Sequence, residues 1–470
     1  MNKIFFQLIV ISILIGFYGQ LKANNKDNDK SAVQKIDVNG ITLIYKPSVK
    51  QVISAQLFIK GGTANYTERE EGIEALALQA ATQGGTKKHP KTDYFTLLES
   101  TGTAISAASE YDYSLVSLQC LTNYWDTAWE LYAEAITQPA FDEGEFENIR
   151  GQMIAAAKNA QTDPDEHLRN IAMKNVFSGK NYSKIPQGTE ESLTTISLES
   201  VKRYYNHLIG KDKLLLVVVG DVDLDDLVLK INKAFGNLPA QGIAFNKEEK
   251  PIFKENNLRT EKRDIATNYV RGYMAAPSLG SADEIPMRVA MSILSDRYFE
   301  EVRTKRNLSY SPYAAFPSSI ISNPYTFVYV STDKPNEAVQ VMTDEIRKIH
   351  KEGFSETELK NKKGEFLTQY YLKQETNASL ATSLGMAELA GDWKTTQDFM
   401  QKVNDLDVAS LNTVFDKYTN YIKWTYLGDT GIIDENILLT PNNKTLEEYL
   451  KEMKEKPAPP KPIRRNEREH

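Results

Sequence analysis

The segment Phe141-Asp142-Glu143-Gly144-Glu145-Phe146-Glu147-Asn148-Ile149-Arg150-Gly151 recurs as Phe354-Ser355-Glu356-Thr357-Glu358-Leu359-Lys360-Asn361-Lys362-Lys363-Gly364. Seven of the eleven positions share the pattern F-x-E-x-E-apolar-x-N-x-basic-G, at an offset of 213 residues. A second correspondence follows each copy: Ser197 to Tyr205 and then Leu214 to Asp221, against Val408 to Tyr418 and then Ile422 to Asp429. Its Gly-Asp ends are 208 residues apart. Two similarities in the same order at nearly the same offset imply two tandem copies of one domain of roughly 210 residues.

Each copy mixes strand and helix patterns without strict alternation. Gly40 to Tyr45, Val52 to Ile59, Ser114 to Leu121 and Leu214 to Val219 read as strands, whereas Gly72 to Thr82, Asn123 to Thr137 and Phe141 to Gln161 read as helices. In the second copy Val270 to Ala275 and Thr326 to Val330 are strand-like, and Glu284 to Arg306, Asn336 to Glu352 and Ser355 to Gln374 are helical. The expected fold class is therefore α+β: two tandem homologous domains, each with helices packed on a mostly antiparallel sheet. The domains are expected at 24–240 and 264–445, joined by a linker at 241–263 that is rich in charge and carries Gly242 and Pro251. The segment 446–470, charged and containing proline, is expected to be an unstructured tail.

The chain has 470 residues and a net charge of −7, and the single cysteine, Cys120, excludes an internal disulfide framework and any multi-cysteine metal cluster. An acidic balance gives no indication of a nucleic-acid surface. Lys3 followed by the apolar run Ile4 to Tyr18 and the small residue Ala23 has the pattern of a signal peptide, 1–23, so an exported, periplasmic or otherwise extracytoplasmic location is expected. No phosphate loop or dinucleotide fingerprint occurs. The histidines His89, His167, His207, His350 and His470 are scattered, each in a setting that a loop, a charged helix or a helix end explains.

Three stretches carry a family resemblance: Lys60-Gly61-Gly62-Thr63; Gly72-Ile73-Glu74-Ala75-Leu76-Ala77-Leu78-Gln79 before Gly85-Thr86; and Glu300-Glu301-Val302-Arg303-Thr304-Lys305-Arg306-Asn307-Leu308-Ser309-Tyr310-Ser311. Together with the duplication, they make the chain resemble the pitrilysin/insulinase zinc metallopeptidases, in their short two-domain form. Active members carry H-x-x-E-H on the first long helix. Laid on this sequence, the resemblance puts the first histidine at Ala75, the glutamate at Leu78 and the second histidine at Gln79. The third ligand, a glutamate upstream of the acidic turn Asp163-Pro164-Asp165-Glu166, falls at Ala155 or Ala156. No H-x-x-E-H or H-E-x-x-H occurs anywhere in the chain. Hence no metal and no cofactor is expected on this chain, and zinc is expected on a partner subunit.

The second copy keeps a different family feature. The resemblance implies that Arg303 and Tyr310, seven residues apart, contact substrate in trans, pointing across a chamber at a zinc site on another subunit. A guanidinium and a phenol converging there suit a peptide carbonyl and its developing oxyanion. Arg303 is expected in the last turn of a helix and Tyr310 on the following strand. Single-chain relatives close a chamber from four such domains, so two chains are expected to meet here. The resulting expectation is a noncatalytic, zinc-free subunit of a heteromeric peptidase of the cell envelope, paired with a zinc-bearing homologue and acting on peptides. The alternative is a peptide-binding or scaffold protein with no role in hydrolysis.

Overall fold

The computed structural model describes residues 32–244 and 249–455. The expected signal peptide and the last fifteen residues of the expected tail lie outside them. The first sheet contains β1 (Gln34–Val38), β2 (Ile41–Pro47), β3 (Val52–Lys60), β4 (Ala104–Ser109), β5 (Tyr113–Leu121) and β6 (Leu214–Gly220), in the spatial order β1-β2-β6-β3-β5-β4. Only β2 and β6 run parallel. The β1–β2 hairpin turns at Asn39-Gly40, both at positive φ (55° and 87°), the backbone pairing that a two-residue hairpin needs. The continuous apolar run of β6, Leu-Leu-Leu-Val-Val-Val-Gly, is buried along its whole length because both faces of the sheet are covered.

The inner face packs on α1 (Ile73–Gln83), α2 (Trp125–Thr137), α3 (Glu143–Thr162), α5 (Leu198–Leu208) and α6 (Leu224–Phe235), with α4 (Pro164–Val176) intervening in the chain. The second sheet contains β7 (Asn257–Lys262), β8 (Asn268–Ala275), β9 (Tyr313–Ala315), β10 (Tyr325–Thr332) and β11 (Lys423–Gly428), in the order β7-β11-β8-β10-β9. It repeats the first sheet's order from β2 onward, including a parallel β7–β11 pair. Its core is formed with α7 (Glu284–Tyr298), α8 (Pro335–Glu352), α9 (Glu356–Lys373) and α11 (Val408–Tyr418).

The outer face of each sheet is covered by a helix from the other half. Helix α4 of the first half lays Leu168, Ile171, Ala172 and Val176 against Tyr273, Tyr325 and Phe327 of the second sheet. Reciprocally, α10 (Asn377–Ala390) of the second half lays Leu380, Ala381 and Leu384 against Ile44, Phe58, Leu215 and Val217 of the first. Their capping residues, Asp163 and Thr376, are 213 residues apart, the offset of the sequence repeat. Gly385 allows the close approach: a Cβ there would lie 2.2 Å from Phe58 Cε2. Polar bonds fix the register, with Asn377 Nδ2 donating to Val52 O (2.6 Å), Gln56 Nε2 to Ala378 O (3.2 Å) and Thr382 Oγ1 to Gln56 Oε1 (3.1 Å).

Two expectations need correction. The end of the expected linker is strand β7, whose only apolar side chain is Leu258; a strand at the sheet edge needs little apolar content, so its periodicity is faint. The start of the expected tail is helix α12 (Leu446–Glu455). Thr445 and Glu448 close a capping box at its N-terminus, Lys444 pairs with Glu452 at 2.6 Å, and Leu446 packs on the second core.

Candidate functional site

Helix α1 begins at Gly72, whose φ of 86° and whose contact with Gly188 (an added Cβ would lie 2.7 Å from its Cα) both require glycine. Ile73 to Leu78 are all buried, with Ala75 at 4% and Leu78 at 1% exposure, and Gln79 is half-buried. Thus two of the three positions that the resemblance assigns to the zinc motif are filled by apolar groups that belong to the core. Ala155 and Ala156 are exposed on α3 and end in methyl groups. Zinc takes imidazole nitrogen, carboxylate oxygen or thiolate sulfur, and these positions together offer one neutral amide, so they do not fit the ion. Among the described residues no group of three His, Cys, Asp or Glu side chains is arranged to hold a metal.

A polar centre lies one residue from the motif, and the sequence reading missed it. Glu74, fully buried, accepts from Asn65 Nδ2 (2.9 Å), Ser114 Oγ (2.5 Å) and Tyr204 OH (2.5 Å), while Lys213 Nζ donates to Asn65 Oδ1 (2.7 Å). Burial pushes the Glu74 carboxyl above its usual range, against the opposing effect of its three donors. Burial also lowers the Lys213 ammonium to about 8. Enclosed and internally bonded, this network ties α1, β5 and α5 together. The one sequence signal was an acid inside an otherwise apolar helix.

The second half presents the exposed chemistry. Helix α7 continues into a π-helical turn, Phe299–Thr304, which holds Arg303 as expected at the end of the helical run. Asn307, at φ 52°, then reverses the chain, donating to Arg303 O (2.9 Å), and Leu308 N donates to Val302 O (2.9 Å). With Leu308 and Ser309 buried, Tyr310 is thrown outward and is 79% exposed. It lies in a bend, not on the expected strand, because the Asn307 reversal delays pairing until β9 begins at Tyr313. The fold brings the pair together: the Arg303 guanidinium carbon is 4.3 Å from the Tyr310 ring centroid and 4.7 Å from that of Phe299. Nearby Glu301 is engaged by Lys305 (2.7 Å) and Arg306 (2.6 Å), which hold its carboxyl below the usual range.

Between the outer face of the first sheet and helices α7, α9 and α10 lies a groove of about 890 Å³. Ser117, Gln119, Gln369 and Ser383 line it beside apolar Phe316, Phe366 and Met386, giving amide and hydroxyl groups that suit a peptide main chain and apolar surface that suits its side chains.

Residues 41–190 match the family described as insulinase (peptidase family M16), and residues 195–366 match the peptidase M16 inactive domain. The chain belongs to the M16 peptidase family. Among M16 relatives, it is 24% identical over 433 residues to the non-peptidase homolog YmxG of Helicobacter pylori, covering 89% of this chain and 97% of that protein. It is 22% identical over 383 residues to the uncharacterized zinc protease YmxG of Bacillus subtilis, covering 80% and 92%. The fold matches a peptidase M16 inactive domain from Pseudomonas fluorescens with a TM-score of 0.77 at 19% identity, covering 85% of this chain and 98% of that one. A protease from Helicobacter pylori matches with a TM-score of 0.75 at 18% identity, covering 85% and 99%. The α+β architecture of two M16-type domains expected from the sequence is thus the fold observed. Among the described residues no helix is long and apolar enough to cross a membrane.

Proposed function

We propose that this M16 homologue is a noncatalytic, zinc-free subunit that pairs with a zinc-bearing relative to degrade peptides outside the cytoplasm. In this reading it contributes chamber wall together with Arg303 and Tyr310. The observation that carries the reading is a contrast within one chain. Ala75 and Leu78, at the expected zinc-motif positions of the first half, are packed as core, whereas the second half keeps a guanidinium and a phenol together at the surface. A surface kept only for solubility needs no such pairing. The groove supports the same reading, since its amides and hydroxyls, set among apolar side chains, offer partners to an extended chain. Arg303 and Tyr310 would then donate to the substrate carbonyl as negative charge develops on its oxygen.

The name of the Helicobacter pylori relative, a non-peptidase homolog, favours the second reading, a peptide-binding or scaffold protein with no role in hydrolysis. Affinity purification of the mature chain from its own cells separates the two. The first reading requires a co-purifying chain of similar length bearing H-x-x-E-H. In the reconstituted complex, Arg303→Ala or Tyr310→Phe should then lower turnover on the order of 10²-fold to 10³-fold while leaving assembly intact. Unchanged turnover in both variants would refute the catalytic part.

A further inference from the structure

Arg303 stands out for how its charge is housed. Among the described residues no carboxylate pairs with it. The acids beside it are committed elsewhere, Glu301 to Lys305 and Arg306, with Glu300 3.8 Å from Lys305. Instead the guanidinium lies against two aromatic rings, Phe299 from the π-helical turn and Tyr310 from the following bend. Both rings are exposed, at 48% and 79%, so neither is explained by core packing. A guanidinium stacked on its faces keeps its N–H donors free along its edge, and the rings restrict the rotation of an otherwise floppy side chain.

We propose that Phe299 is a positioning residue: with Tyr310 it clamps the Arg303 guanidinium so that its edge is presented, already oriented, to a main-chain carbonyl of a bound peptide. The geometry gives Tyr310 two separable functions, its ring as one jaw of the clamp and its hydroxyl as a donor. Phe299 and Arg303 are four residues apart within the turn and therefore neighbours on one face, while the Asn307 reversal brings Tyr310 back against the same guanidinium. The functional half of this inference rests on the reading of the chain as a trans-acting peptidase subunit. The clamp itself does not depend on it.

The two halves are tested apart. In the isolated mature chain labelled with ¹⁵N-arginine, the Arg303 Nε–H resonance, identified by its loss in Arg303→Lys, should be displaced by the ring currents. Phe299→Leu should remove much of that displacement and Phe299→Tyr should keep it. An Arg303 resonance indifferent to Phe299→Leu would overturn the clamp without touching the proposed function. In the reconstituted complex, Phe299→Leu should lower turnover about 2- to 5-fold, the effect of one exposed cation–π contact, and Phe299→Tyr should restore it. The deciding comparison is in the Arg303→Ala background, where Phe299→Leu should cost nothing further. The same loss with and without Arg303 would show that Phe299 acts on its own and refute the positioning role. A resonance that responds, in a complex indifferent to Arg303→Ala, would refute the proposed function and the catalytic half of this inference while leaving the clamp in place.

Discussion

Replacing Gly385 by alanine should destabilise the protein even though alanine is the better helix former. Gly385 lies within α10, and the added Cβ would sit 2.2 Å from Phe58 Cε2 and 2.4 Å from Cζ, more than 1 Å inside an ordinary carbon–carbon contact. Phe58 has little room to give: it is fully buried, is held in β3 between paired strands and is packed against Tyr113 at a ring-centroid distance of 5.6 Å. The helix must therefore lift, loosening Leu380, Ala381 and Leu384 from the sheet. Overpacking of this kind costs about 1–3 kcal/mol, and the gain in helix propensity offsets about 1 kcal/mol of it, leaving a net loss of up to about 2 kcal/mol. The control is built into the repeat. Gly151 and Gly364 occupy matching positions in α3 and α9, and a Cβ at either meets nothing within 4 Å. Gly364→Ala should stabilise by about 0.5–1 kcal/mol. Urea denaturation of the mature chain, with each variant measured against the wild type, reads both signs. A Gly385→Ala protein as stable as Gly364→Ala would mean that α10 does not seat on Phe58.

Elemental analysis of the purified chain should find no stoichiometric zinc, and the chain alone should not cleave peptides; about one tightly held zinc per chain would contradict this. Asp163→Ala and Thr376→Ala should each cost about 1 kcal/mol, since their side chains cap α4 and α10 by accepting from Glu166 N (2.8 Å) and Ser379 N (3.1 Å); equilibrium unfolding checks whether the two losses agree. Lys213 gives a pH signature. Its folded value of about 8 lies below the ordinary lysine value, so between the two the unfolded chain binds more protons and the contribution of this residue to stability rises with pH. Lys213→Met should flatten that part of the stability profile between about pH 8 and pH 10.4, measured by denaturant unfolding across the interval.

What the sequence revealed depended on whether the evidence was local. The repeat was legible because its matching residues are contiguous and α3 and α9 start from similar capping segments. The expected zinc-motif positions Ala75, Leu78 and Gln79 are local in the same way, since they share one helix. Helix α10 was not recognised. Its Ala, Leu and Gly residues fall on all sides and leave no clear apolar stripe, while its N-terminal turn meets β3 and its middle meets Phe58. The Glu74 network was hidden by distance, its members coming from positions 65, 74, 114, 204 and 213. The position of Tyr310 depended on one left-handed residue, Asn307, which hydrophobic periodicity does not register.

The exchange of α4 and α10 also sets an order of events during synthesis. The last strand of the first sheet is finished at Gly220, but the helix that covers its outer face ends at Ala390, 170 residues later. At ordinary rates of translation that gap lasts roughly 10–30 s, during which Phe58, Leu215 and Val217 have no cover from their own half of the chain. The nascent protein is therefore most vulnerable to aggregation while it is half made. A chain arrested before residue 377 should bind general chaperones, and a nonsense mutation in the second repeat ahead of α10 should yield no soluble fragment. Duplication here produced mutual dependence: neither half carries the means to shield itself.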